Sequence, residues 1–142
     1  MKIKIVITLM IAALTATLLG GCCACRKGKN NLPLVGTEWH LEKMMERELN
    51  ISPEQFVFTF GKDGAFGGVG ACNRMMGDYT VTEKGGMTFG GVASTRRMCP
   101  DAELETRFAQ VLESTTHYEI DGDMLLLLSK GELRAILKAV SK

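Results

Sequence analysis

From Gly36 onward, apolar and polar positions mostly alternate. Trp39 and Leu41 fall on one side of the pattern and Glu38, His40 and Glu42 on the other, the period of a strand with one buried face. Phe56, Phe58 and Phe60 repeat that pattern, which breaks at Gly61-Lys62-Asp63-Gly64 and resumes at Phe66. An Asp-Gly turn between alternating apolar runs predicts a hairpin. A second hairpin is predicted from Tyr79 and Val81 through Lys84-Gly85-Gly86 into residues 87–94. The last third predicts a meander: 117–120, a turn at Asp121-Gly122-Asp123, 124–129, a turn at Lys130-Gly131, and 132–140.

One segment has a different period. Between Pro100 and about Thr115, Leu104, Phe108, Val111 and Leu112 recur at i, i+4, i+7 and i+8, with Glu103, Glu105, Arg107 and Gln110 on the remaining surface. This predicts an amphipathic helix with Pro100 near its first position, where a missing N–H costs nothing. About eight short strands and one helix predict an α+β domain, a strongly curved, barrel-like antiparallel sheet with the helix covering an opening or an edge.

The start of the chain follows neither period. Met1-Lys2-Ile3-Lys4 is a basic head, and Ile5 to Leu19 is an uncharged run of 15 residues. A spanning helix needs roughly 20 apolar residues, so this run fits a cleaved export signal better than a permanent anchor. Leu19-Gly20-Gly21-Cys22 resembles a bacterial lipobox. Residues 1–21 are thus expected to be a lipoprotein signal peptide, Cys22 the lipidated first residue, residues 22–35 a flexible tether and residues 36–142 the domain. Arg26, Lys27 and Lys29 of the tether would lie near anionic head groups. Cys23 and Cys25 are spare thiols beside the anchor or pair with another chain.

Charge and cysteine usage narrow the function further. Without residues 1–21 the chain carries 15 Lys and Arg against 16 Asp and Glu, a net charge of −1. That balance gives no clustered basic field for nucleic acid. Cys72 and Cys99 lie 27 positions apart in a chain expected in an oxidising compartment. A disulfide closing that loop would stabilise a small domain by about 3 kcal/mol. Free structural thiols, or a catalytic Cys72 or Cys99 with His40 or His117 as base and Asn73 as orienting group, are the alternatives.

"GGVGACNRMMGDY" is the sharpest local feature. No Gly-Lys-Ser/Thr and no helix follow Gly67, Gly68 and Gly70, so the stretch is not a phosphate cradle, and a bulge or close backbone approach explains the glycines better. No spacing of cysteine and histidine supports a metal site, and no metal or other cofactor is expected. His40 is expected in solvent on the polar side of its strand. The pair Arg96-Arg97 offers either an anion contact or a solvated loop. Glu103 and Glu105 fall on different helix faces and form no carboxylate dyad.

"GTEWHLEKM", "FTFGKDGAFGGVGACNRMMGDYTV", "STRRMCPDAELETRFAQVL" and "DGDMLLLL", in that order, resemble the META domain, the HslJ-like family of bacterial heat-shock lipoproteins. The residues that carry the resemblance are Trp39, Gly70, Cys72, Asn73, Gly77, Tyr79, Thr95, Met98 and Cys99. The family pattern often has one basic and one small residue between its threonine and cysteine, where this chain has Arg96-Arg97-Met98. The resemblance implies a compact α+β domain, exported and usually lipid-anchored, associated with heat stress and antibiotic tolerance. It supplies no catalytic residues. The expected function is a non-catalytic binding or stress-protective module held to membrane lipid through Cys22, in the outer membrane facing the periplasm. Its partner would be a peptide, a small amphiphile or another envelope protein. A thiol-dependent enzyme or redox protein using Cys72 or Cys99 is the alternative.

Overall fold

Alternation of apolar and polar side chains builds strands wherever one face can be buried. In the computed structural model of the chain, which describes residues 30–141, the described residues form nine strands in one antiparallel sheet and one helix. In chain order these are β1 (Glu38–Met44), β2 (Arg47–Glu48), β3 (Val57–Phe60), β4 (Ala65–Val69), β5 (Arg74–Val81), β6 (Met87–Ser94), α1 (Ala102–Ser114), β7 (His117–Asp121), β8 (Met124–Ser129) and β9 (Glu132–Ala139). The spatial order is β6-β5-β4-β3-β1-β9-β8-β7, with β2 paired to β1. The sheet curls until its two ends meet at a single bridge, Gly86 to His117, where Met87 N–H donates to Thr116 O and Tyr118 N–H donates to Gly85 O. The fold is therefore α+β with a curled sheet that does not close. The expected signal peptide 1–21, Cys22, Cys23, Cys25 and the expected tether up to residue 29 lie outside the described residues.

Eight strands sit where the alternation predicts them. The ninth, β2, consists of exposed Arg47 and Glu48 with no apolar residue to announce it. It returns along β1 through Met45 (φ 50) and Glu46 (φ 63), the left-handed pair that a two-residue hairpin turn requires. A register shift between Leu41 and Lys43 lets Leu41 and Met44, three positions apart, both reach the core. The helix begins at Ala102, with Asp101 at its N-cap, rather than at Pro100. Pro100 lies in the preceding turn, which the Ala102 N–H closes by donating to Cys99 O.

Residues 31–35, assigned from composition to the tether, pack on the domain. Leu34 is buried, Val35 bridges Phe60, and Leu32 N–H donates to Gly122 O. Trp39, fully buried, donates its indole N–H to Leu34 O at 3.1 Å. The apolar Leu32-Pro33-Leu34-Val35 run thus gains a place to bury that a linker reading of the neighbouring asparagines overlooks.

Aromatic side chains fill the space inside the curl. Phe108 of α1 meets Phe56 edge-on (centroids 5.9 Å apart) and Phe58 at 5.1 Å, so the helix closes over the sheet through aromatic packing. Farther along, Phe60 meets Tyr79 edge-on at 5.0 Å, and Tyr79 donates its hydroxyl to Gly61 O at 2.7 Å. Burial, then the neighbouring Asp63 carboxylate, then Tyr118, raises the Tyr79 phenol above its ordinary value of 10.0.

A raised folded-state value means the folded chain holds this proton more tightly than the unfolded chain. The stabilisation is complete below about pH 10 and disappears as pH rises through the folded value. Unfolding temperatures should therefore fall in strongly alkaline solution. Tyr79→Phe should flatten that fall while losing about 1 kcal/mol at neutral pH with its hydrogen bond. Thermal melts across the neutral-to-alkaline range check this, and an unchanged alkaline slope in the variant would overturn it.

Candidate functional site

The turn 70–73, which joins β4 to β5, and the loop 95–101, which joins β6 to α1, come together beside the helix. Glu105 links them. It sits in the first turn of α1 and is only 5% exposed. Its Oε2 accepts hydrogen bonds from Ala71 N–H at 3.0 Å and Asn73 N–H at 3.3 Å, and its Oε1 accepts one from Ser94 Oγ. Gly70 makes this approach possible, because a Cβ there would stand 2.5 Å from Oε2. Glu105 was expected among the polar surface of the helix. The structure buries it because the backbone N–H groups of the turn need an acceptor.

Asn73 extends the connection to the loop. Its Oδ1 accepts from Arg97 N–H at 2.7 Å and Thr95 Oγ1 at 2.9 Å, and its Nδ2 donates to Arg97 O at 3.2 Å. The side-chain amide thus bonds both backbone groups of Arg97, as a neighbouring strand would. Thr95 N–H donates to Arg74 O at 3.0 Å, and Thr95 Oγ1 accepts from Arg74 N–H at 3.1 Å. Cys72 and Cys99 are joined by a disulfide, with Cα atoms 6.4 Å apart. The backbone of the loop is therefore held at Thr95, Arg97 and Cys99, while three side chains are left over. Arg96 and Arg97 are exposed, and the ion pairs among the described residues leave both out. Met98 is 95% exposed, the most exposed of the large apolar side chains among the described residues.

Behind these side chains lies a groove of about 590 Å³ between β6 and α1. Met75, Val92 and Ala109 give it apolar lining, Ser94, Thr95 and Thr106 supply hydroxyls, and Arg96, Arg97 and Met98 contribute from the loop. Asn73 and Glu105 also line it, so the groove is a concave site that mixes apolar with polar and charged side chains, an arrangement that suits binding.

The other sequence-derived candidates are spread through the fold. Trp39 and Tyr79 are core residues. Gly77 lies where a Cβ would come 2.7 Å from the Phe66 ring. Gly67 and Gly68 lie within β4, and only Gly68 has the close-approach role, since a Cβ there would come 2.8 Å from Phe58 Cα while one at Gly67 would meet Met75 O at an ordinary 3.6 Å. His40 pairs with Ser52 O and His117 with Thr116 Oγ1, so neither imidazole is hydrogen-bonded to a cysteine. Among the described residues no three His, Cys, Asp or Glu side chains converge in a way that could hold a metal ion. Sequence reasoning missed Glu105 and Ser94. For Glu105 a signal existed, because Glu105, Phe108 and Leu112 share the i, i+3, i+7 spacing of one helix face.

The family model described as META domain matches residues 32–141. No curated protein matches. Among solved structures, the chain is similar to a protein from Burkholderia xenovorans determined by NMR. The two are 19% identical, with 77% of this chain and 85% of that one covered and a TM-score of 0.61. It is also similar to a DUF4847-family protein from Bacteroides vulgatus ATCC 8482 in a crystal structure, 18% identical, with 77% and 95% covered and a TM-score of 0.61. A further NMR structure is 22% identical, with 74% and 90% covered and a TM-score of 0.60. Likeness at this level of identity shows a common fold.

Two predictions concern what holds the site. Cys72→Ser and Cys99→Ser each open the same loop, so each should lower unfolding free energy by a similar amount, about 3 kcal/mol. Denaturant titrations of the two variants check this, and a marked inequality between them would count against a purely structural bridge. Glu105→Ala strips two buried N–H groups of their acceptor and should cost about 3 kcal/mol. Glu105→Gln, which keeps one acceptor oxygen there, should cost less. Glu103→Ala removes only the exposed i,i+4 pair with Arg107 and should cost below about 0.5 kcal/mol. Equal losses for Glu103→Ala and Glu105→Ala would refute the proposed role of the buried carboxyl.

Proposed function

We propose that this chain, which belongs to the META domain family, is a non-catalytic binding module of the bacterial cell envelope, anchored by lipid on Cys22. Its contact surface is the loop Arg96-Arg97-Met98 and the groove beside it. One observation carries the reading: a 95% exposed methionine stands beside two exposed arginines on a loop whose backbone is fixed by a disulfide, by Asn73 and by Thr95. Loops positioned by a rigid scaffold are where binding residues concentrate. A side chain presented from a fixed backbone also loses less entropy when it docks. Methionine is suited to adaptable contact, because its thioether chain is unbranched and polarisable.

Anchoring is supported by the sequence. The basic head, the short apolar run and the Leu-Gly-Gly before Cys22 are the features of a lipoprotein signal. The lipid would hold the domain on the outer membrane facing the periplasm, where it serves in protection against heat or antibiotics. The rival reading, a thiol-dependent enzyme using Cys72 or Cys99, has less support because the two sulfurs are bonded to each other.

The test is complementation of a strain lacking the gene, scored as survival of heat and of membrane-active antibiotics. The wild-type chain should restore survival, and Cys22→Ala, made without its anchor, should not. A double Arg96→Gln, Arg97→Gln variant should be present at normal level with an unchanged melting temperature and still fail. Full rescue by the double variant would sink the assignment of the loop, and full rescue by Cys22→Ala would sink the need for anchoring.

A further inference from the structure

We propose that the groove between β6 and α1 receives an extended acidic peptide segment of another envelope protein. Its carboxylates are held by Arg96 and Arg97, and its backbone lies beside the end of β6. This inference rests on the binding reading above and names the partner's chemistry.

The sheet order ends at β6, which has β5 on one side and meets β7 at the Gly86–His117 bridge. The register shift opposite Met76 and Asp78, with Gly91 at φ 58, turns the strand before the groove is reached. Only the stretch Val92–Ser94 lies along the groove. An extended segment suits such a place, because a strand edge offers main-chain hydrogen bonds while pockets beside it select side chains.

Charge decides which peptide fits. From residue 22 onward the chain carries 15 Lys and Arg against 16 Asp and Glu, a net charge of −1. On that near-neutral background two adjacent arginines with no ion pair among the described residues form a local positive site. Guanidinium groups bind carboxylates through paired, charge-assisted hydrogen bonds. The shape of the site favours a chain over a bilayer, because an extended segment enters a concave groove and reaches its lining while a flat membrane surface meets only its rim. A simple anion would fill only a small part of about 590 Å³ and would leave Val92, Ala109 and Met98 without contacts. An acidic segment with interspersed apolar side chains uses both features.

The experiment pans a random octapeptide library on the mature chain, from residue 22 onward, carrying Cys22→Ala so that no acyl chain interferes. Asp and Glu should be enriched among the selected peptides. The best of them, labelled with fluorescein, should bind with an anisotropy change that weakens as salt is added. Arg96→Gln, Arg97→Gln should weaken that binding roughly tenfold or more. Arg47→Gln, on the distant β1–β2 hairpin, should leave it unchanged. Circular dichroism melts of both variants establish that they are folded. Selection of neutral or basic peptides, or of none, would overturn the proposal. So would co-sedimentation of the chain with phosphatidylglycerol vesicles that depends on the two arginines, since the occupant would then be a membrane. If the double arginine variant fails in complementation while acidic peptides do not bind, the loop remains the contact surface and only the acidic class falls. If that variant complements fully, the binding reading itself falls.

Discussion

A carboxyl group withdrawn from water must find hydrogen-bond donors, and backbone amides at a turn must find acceptors. Glu105 answers both demands at one point. Its two oxygens take the N–H groups of Ala71 and Asn73 and the hydroxyl of Ser94, which belong to the turn before β5 and to the last residue of β6. One helical turn farther on, Phe108 packs on Phe56 and Phe58. The position of α1 over the sheet is thus set by a polar contact at its start and by aromatic contacts in its middle. The backbone of Asn73, held by Glu105, in turn places the amide that holds Arg97.

This chain of contacts separates the structural residues from the exposed ones within a single short motif. Cys72, Asn73, Thr95 and Cys99 have their polar or sulfur atoms committed to one another or to the loop backbone. Gly70 and Gly77 are needed because of what stands against them, a carboxyl oxygen and an aromatic ring. Arg96, Arg97 and Met98 are the remainder. The motif thus builds a fixed frame and presents three side chains from it, which reduces the ordering cost of any contact they make.

Much of the fold was legible because its signals are local. Alternation at Trp39 and Leu41, at Phe56 to Phe60 and at Leu125 to Leu127 matches buried positions, and Gly-containing turns separate the strands. The strand β2 was not legible, because two exposed charged residues have no buried face to reveal them. The start of the domain is not legible, because Leu34 and Val35 look like linker until Trp39 and Phe60 are seen beside them. Glu105 reads as a surface residue because a charged residue ordinarily belongs there, although its spacing to Phe108 and Leu112 puts it on the buried stripe.

The sequence by itself determined the strand and helix periods, the turns between them and the resemblance to the family. Each of these depends on residue type, on spacing along the chain or on a pattern of a few residues. Only the tertiary structure decided that the sheet curls without closing, that Cys72 and Cys99 are bonded, that Gly70 and Gly77 leave no room for a side chain, that Glu105 is internal and that Met98 stands clear between a groove and solvent. Those outcomes depend on which surfaces meet from distant parts of the chain, as Glu105 meets Ala71. A buried polar group is accepted only where the opposite surface supplies its partners, and no local pattern states where that surface will be.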